Sequence, residues 1–316
     1  MPEKKVVAVV GATGAQGGGL ARAILADRDG GFTVRAITRD TNAPKARALA
    51  DAGAEVVSAN VDDQASLERA FSGADAAFCV TFFWDHLSPE REFQQAANQA
   101  RAAKAAGVQH VIWSTLEDTR GFVPLSDTRM PTLHGKYKVP HFDAKGEADA
   151  VFAGTGVPTT YLLTSFYWDN FIYFGAGPKP GADGVLALTL PMARAPLAGI
   201  AAEDIGRCAY GIVQRGSELA GQRVGIVGEH LTGAQLAEKM SRALGREVRH
   251  QDVPHDVYRG FGFPGADDLG NMFQIYVEFA DHFQKSRQVA RARELNPALQ
   301  DFDAWLARHA KDIPLE

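Results

Sequence analysis

Short apolar runs alternate with amphipathic, alanine-rich stretches over the first half of the chain. Residues 6–10 form a continuous β-branched run, the pattern of a strand buried on both faces. A glycine-rich turn follows, then helical spacing through Leu20, Ala23, Ile24 and Leu25. Residues 32–37 predict a second strand, and residues 43–52 a helix ended by Gly53. Residues 55–58, 76–80 and 110–113 predict three more strands, with a helix over 64–71 between the first two. Ser88 and Pro89 suit the N-cap and first position of a long helix that Gly107 stops. Strands alternating with helices at this spacing imply right-handed crossovers and a parallel, doubly wound α/β sheet.

Beyond residue 119 the pattern loosens. Residues 119–140 carry little periodicity and predict an irregular loop over the sheet edge. A helix over 142–152 and a strand over 159–163 resume the alternation. Residues 175–184 are rich in Gly and Pro and read as an excursion, and 224–227 as a strand returning to the sheet. Thr232 with Gln235 matches a capping box opening a helix that closes at Gly245. The remainder is expected to be mostly helical.

Composition adds exclusions. The chain has 316 residues, 46% hydrophobic and 22% charged, with a formal net charge of -5. That balance attracts neither nucleic acid nor an anionic membrane. The one dense basic stretch, residues 285–293, interleaves with apolar positions as a solvated helix face would, so direct nucleic-acid binding is not expected. No uninterrupted apolar stretch is long enough to span a bilayer, and no signal-peptide pattern opens the chain. The two cysteines, Cys79 and Cys208, lie far apart, the economy of a cytoplasmic protein. The nine histidines show no metal-ligand spacing, so no metal is expected.

The chemistry begins at Gly11-Ala12-Thr13-Gly14-Ala15-Gln16-Gly17, between the first strand and the first helix. A pyrophosphate needs backbone N–H groups, close approach and the positive end of a helix dipole. Gly11 can take the turning φ, Gly14 lets backbone near the phosphates, and Gly17 lets the helix pack on the strand. The spacing is one residue longer at the front than G-x-G-x-x-G, and its βαβ context gives it weight. Arg39, first past the second strand, suits a 2′-phosphate and favours NADP(H); Asp40 beside it keeps NAD open. Ligands of parallel sheets sit at carboxyl strand ends, which nominates Thr81, Phe82, Phe83, Ser114 and the run Phe166-Tyr167-Trp168-Asp169-Asn170 as a wall for a flat ring.

Short-chain dehydrogenases set Tyr-x-x-x-Lys on a helix beside a strand-end serine, the tyrosine acting as acid. Here Lys145 and Ser114 are present, but His141 stands at the tyrosine position. His141 reads as a surface or structural histidine or as a proton donor, Lys145 as a ribose clamp. Asp143 and Asp149 read as exposed helix charges.

The run Val9-Val10-Gly11-Ala12-Thr13-Gly14-Ala15-Gln16-Gly17-Gly18, with Thr38-Arg39, the segment His141-Phe142-Asp143 to Lys145-Gly146-Glu147, Phe261 with Phe263-Pro264-Gly265-Ala266, and Asn271-Met272-Phe273, resembles the NmrA-like family. The resemblance is closest to its NADPH-sensor branch and extends to Leu295-Asn296-Pro297 and Trp305-Leu306. It implies a Rossmann-type domain over residues 1–170, with segments returning at about 197–230, and a smaller, mostly helical C-terminal lobe of 171–196 and 231–316. It places Gly11, Thr13, Gly14, Ala15, Gln16 and Gly17 at the pyrophosphate and Arg39 at the 2′-phosphate, with Asn60 toward the adenine. Thr81, Phe82 and Phe83 fall near the nicotinamide, Lys145 at the ribose, and Tyr167, Asp169 and Asn170 along the cofactor. The implied function is an NADP(H) sensor or regulator with a protein partner. The alternative is an NADPH-dependent reductase of a quinone, enone or carbonyl in the interlobe cleft, held against Phe82, Phe83, Trp84, Tyr167 and Trp168, with Lys145 or His141 in the catalytic role. A homodimer is left open.

Overall fold

In the computed structural model, residues 4–315 are described. The first half contains β1 (Lys5–Val10), α1 (Ala15–Ala26), β2 (Phe32–Thr38), α2 (Pro44–Asp51), β3 (Glu55–Ser58), α3 (Gln64–Phe71), β4 (Ala76–Cys79), α4 (Pro89–Ala105), β5 (His110–Thr115), α5 (Pro140–Thr155) and β6 (Thr159–Leu163). Ser88 caps α4 by accepting from Arg91 N–H, with Pro89 in its first turn. The second half contains β7 (Phe166–Tyr167), α6 (Asn170–Tyr173), β8 (Lys179–Pro180), β9 (Leu186–Thr189), β10 (Leu197–Ile200), α7 (Ala202–Arg215), β11 (Arg223–Gly225), β12 (Glu229–Leu231) and α8 (Gly233–Leu244). It ends with β13 (Val248–Gln251), α9 (His255–Arg259), α10 (Ala266–Glu278), α11 (Ala280–Ser286), α12 (Val289–Leu295) and α13 (Phe302–His309). The Thr232–Gln235 capping box forms at α8.

The large sheet is parallel in the order β11-β6-β5-β4-β1-β2-β3. Chain order reverses between β1 and β4, so the crevice at their carboxyl ends is where a ligand fits this Rossmann-type sheet. One apolar cluster packs each face, around Leu20, Ile24 and Ile205 on one side and Phe71, Trp113 and Phe152 on the other. A third gathers Trp168, Phe171, Phe302 and Trp305 beneath the C-terminal helices. No helix among the described residues is long and apolar enough to cross a membrane.

Several expectations about charged residues need correction, whereas the C-terminal region is mostly helical as expected and adds two small sheets, β12-β10-β7 and β13-β9-β8. Their strands are too short for alternation to register in sequence. Arg287 lies on no solvated face; it is fully buried and pairs with Glu117 at 2.6 and 2.9 Å. Asp143 is fully buried and accepts from Thr119 N and Oγ1 and from Lys138 N and Val139 N, tying the irregular 119–140 segment to α5. Asp149 accepts from Trp113 Nε1, Thr115 Oγ1 and Arg223. A charge on a helix looks solvated in sequence until the elements packed over it are known.

Candidate functional site

Gly14 is the N-cap of α1 and supplies no side chain to cap the first-turn amides. The positive end of the helix is therefore open, which suits an anion. Gly11 turns the chain at φ +64. A Cβ on Gly17 would lie 2.5 Å from Gly11 O and 2.7 Å from Val10 O, so the helix rests directly on the strand end. Gly14 and Ala15 are exposed and Thr13 half-buried along this turn. Gln16 ties it to neighbouring strands: Ser114 Oγ donates to Gln16 Oε1 at 2.8 Å, and Gln16 Nε2 donates to the Tyr167 hydroxyl. Burial pushes the Tyr167 phenol up to about 12, so it stays protonated at neutral pH.

Toward β2 and β3 the surface opens into a depression of about 370 Å³ lined by Arg39, Ser58, Ala59, Asn60, Ser66 and Arg69. Arg39 is 76% exposed and meets Asp85 at 3.3 Å, a contact loose enough to yield to a phosphate. Asn60 shapes the rim, its N–H donating to Ser66 Oγ and its Oδ1 accepting from Asp62 N. Arg69 went unnoticed in the sequence because a basic residue in the last turn of α3 looks like an ordinary dipole partner.

At the other end of the crevice, Gln99 of α4 holds the chain after β4 by pairing both Val80 N and Val80 O. The next residue, Thr81, donates from Oγ1 to Glu92 Oε1 at 2.6 Å. Lys145 Nζ reaches Thr81 Oγ1 at 2.5 Å, Glu92 Oε1 at 2.8 Å and Thr81 O at 3.3 Å. His86 Nδ1 accepts from Ser88 N, which leaves its ring proton on Nε2, 3.5 Å from Glu92 Oε2. Burial works to raise the fully buried Glu92 carboxyl, but the Lys145 charge and bonds from His86, Lys145 and Thr81 prevail and hold it at about 2. Glu92 and His86 were missed; one signal was a polar row, Glu92, Gln95 and Gln99, on the alanine-rich inner face of α4.

One turn before Lys145, His141 is buried rather than on the surface. Its Nδ1 bonds Asp268 Oδ1, and its backbone N–H donates to Asp268 Oδ2 at 3.1 Å. Its ring packs on Phe142, Trp84 and Phe83, with centroids 4.7, 5.0 and 5.9 Å away. Asp268, at the start of α10, was not anticipated; 127 positions separate it from His141. Phe83 is buried, whereas Phe82 is 49% exposed and meets Phe174 edge-on.

The expected aromatic wall does not assemble. β6 ends at Leu163, and Phe166 and Trp168 turn into the C-terminal core against Phe273 and Phe302. Asp169 accepts from Ala202 N at the start of α7, and Asn170 opens α6. Tyr167 alone of that run reaches the glycine turn, through Gln16.

Residues 3–306 match the sequence profile of the NmrA-like family. An NmrA-like family domain-containing oxidoreductase of Penicillium ochrochloron is 27% identical, over 96% of this chain and 98% of its own. The fold matches crystal structures of NmrA, a negative transcriptional regulator, in complex with NAD and with NADP. Both give a TM-score of 0.79 and 25% identity over 97% of this chain and 95% of that one. The Citrobacter sp. triphenylmethane reductase complexed with NADP(H) shares the fold at a TM-score of 0.74 and 19% identity, over 97% of this chain and 99% of that one.

Proposed function

The chain belongs to the NmrA-like family, and from that premise we propose that it binds NADP(H) along the crevice from Arg39 to Lys145. The open N-terminus of α1, with Gly17 pressed against Gly11 O, is the observation that carries this reading. Gly11, Thr13, Gly14, Ala15, Gln16 and Gly17 would hold the pyrophosphate, Arg39 with Arg69 the 2′-phosphate, and Asn60 the adenine rim. Thr81, Phe82 and Phe83 would border the nicotinamide, with Lys145 and Tyr167 alongside. Asp169 and Asn170 would support that side through the chain around Tyr167. Titration calorimetry with NADPH, NADP and NADH tests it: tight NADPH and weaker NADH binding are expected, and no binding of any overturns it.

For the use of the cofactor, we propose an NADPH-dependent reductase of a quinone, enone or carbonyl. In sequence, the absent tyrosine favours a sensor. The carboxylate behind His141 favours chemistry, because a pure sensor has no need of an oriented imidazole at the tyrosine position. The relatives' oxidoreductase names point the same way. A sensor acting through a protein partner remains the second reading, supported by the likeness to the regulator NmrA and by the pairing of Lys145 with Glu92. Steady NADPH oxidation with simple quinones or enones would sink it. Tight binding with no turnover would favour it.

A further inference from the structure

Two side chains on α5 are candidates for delivering a proton, and their hydrogen bonds separate them. Lys145 already donates to Thr81 Oγ1 and Thr81 O and forms an ion pair with Glu92 Oε1 at 2.8 Å. Withdrawing it would leave the buried Glu92 carboxylate short of its counter-charge. His141 is held differently. Asp268 engages Nδ1 and the backbone N–H, which fixes the ring and leaves Nε2 without a partner among the described residues. Nε2 is not sealed, since 9% of the side chain stays exposed. A carboxylate on one ring nitrogen stabilises the imidazolium and aims the proton on the other.

The surroundings restrict what could receive that proton. Phe83, Trp84 and Phe142 pack the ring, and the neighbouring Phe82 and Phe174 present exposed aromatic surface. Ionisable groups beside His141 include Asp268 on α10 and, across Phe83, His86. The nearby charges of Lys145 and Glu92 neutralise each other. Among the described residues, the Lys145 ammonium is paired with Glu92 and is not free to meet a carboxylate or phosphate on the acceptor.

Building on the reductase reading, we propose that His141, oriented by Asp268, is the proton donor, and that the acceptor is an uncharged carbonyl compound with an aromatic or conjugated face. NADPH, when bound, supplies the two electrons and one hydrogen. The acceptor carbon receives these while its oxygen takes the proton from His141 Nε2, the C=O π bond breaks, and solvent reprotonates the ring. Asp268 is a positioning residue.

The test uses the full chain with NADPH and a panel of uncharged aromatic aldehydes, enones and quinones, beside their carboxylated analogues. H141Q should lower kcat by about 100-fold or more with NADPH binding retained. D268N should lower kcat by roughly 10-fold with KM and NADPH binding little changed, because the ring loses its orientation but not its place. Nitrogen NMR of the unsubstituted, cofactor-free protein should place the neutral ring's proton on Nδ1, a readout that stands even if D268N fails to fold. Turnover little changed in H141Q, or the proton found on Nε2, overturns the assignment of the donor while leaving the reductase reading intact. Carboxylated acceptors turned over equally well overturn the substrate class. No turnover in the unsubstituted protein overturns the reductase reading itself, and this proposal with it.

Discussion

The two ends of the crevice carry charge in opposite ways. At the end proposed for the adenosine, Arg39 is 76% exposed and touches Asp85 loosely, while Arg69 lines the same depression. At the end proposed for the nicotinamide, Glu92 pairs with Lys145 and Thr81 beside His86, and Glu92 is fully buried. Exposed charges are screened and weakly coupled, so they add little to the fold and are free to meet a ligand. Buried ones must be paired before any ligand arrives, because leaving one alone is costly. Binding selectivity should therefore reside at the first end and structural integrity at the second.

Substitutions can break that division. Glu92→Ala strands the Lys145 charge and should lower stability by about 3–5 kcal/mol, read by chemical denaturation. A fall of less than a tenth of that would show the pair to be dispensable. Acid should reproduce part of this loss. A carboxyl held below its ordinary range stabilises fully above that range, so the Glu92 contribution should fade as pH drops from about 4.5 toward 2 in thermal melts. Glu117 beside Arg287 is lowered in the same sense, and Asp143 and Asp149, raised by burial, oppose the trend. Arg39→Ala should leave stability alone and weaken NADPH roughly 10- to 100-fold by calorimetry, with NADH little affected. Equal losses for both cofactors would remove Arg39 from the 2′-phosphate. Phe82→Ala, at a half-exposed position, should change stability by no more than about 0.5 kcal/mol while raising KM for an aromatic acceptor.

The legible parts of the molecule are those whose physics is local. The glycine turn, the Ser88 and Thr232 caps and the strands of the large sheet follow from neighbours a few residues apart, and they stand where the spacing predicts them. Arg39 could be nominated because it follows a strand end, and its side chain is exposed there. Asp268, Glu92 and Arg287 were not, since each derives its meaning from a partner brought near by the fold rather than by the chain. The run from Phe166 to Asn170 misled for the same reason: composition suggested a ligand wall, but the small sheet turns Trp168 into the core.

The contact between His141 and Asp268 also bears on how such a protein can diverge. The glycine turn and Arg39 lie in the first forty or so positions, whereas the carboxylate behind the imidazole comes from α10. No hydrogen bond joins the two groups of residues directly among the described residues. If the proposed dinucleotide site holds, a lineage could lose the carboxylate by one codon change and keep that site, or regain the carboxylate without rebuilding the turn. Descent within one fold could then alternate between metabolism and signalling, with position 268 as the place to look for the change.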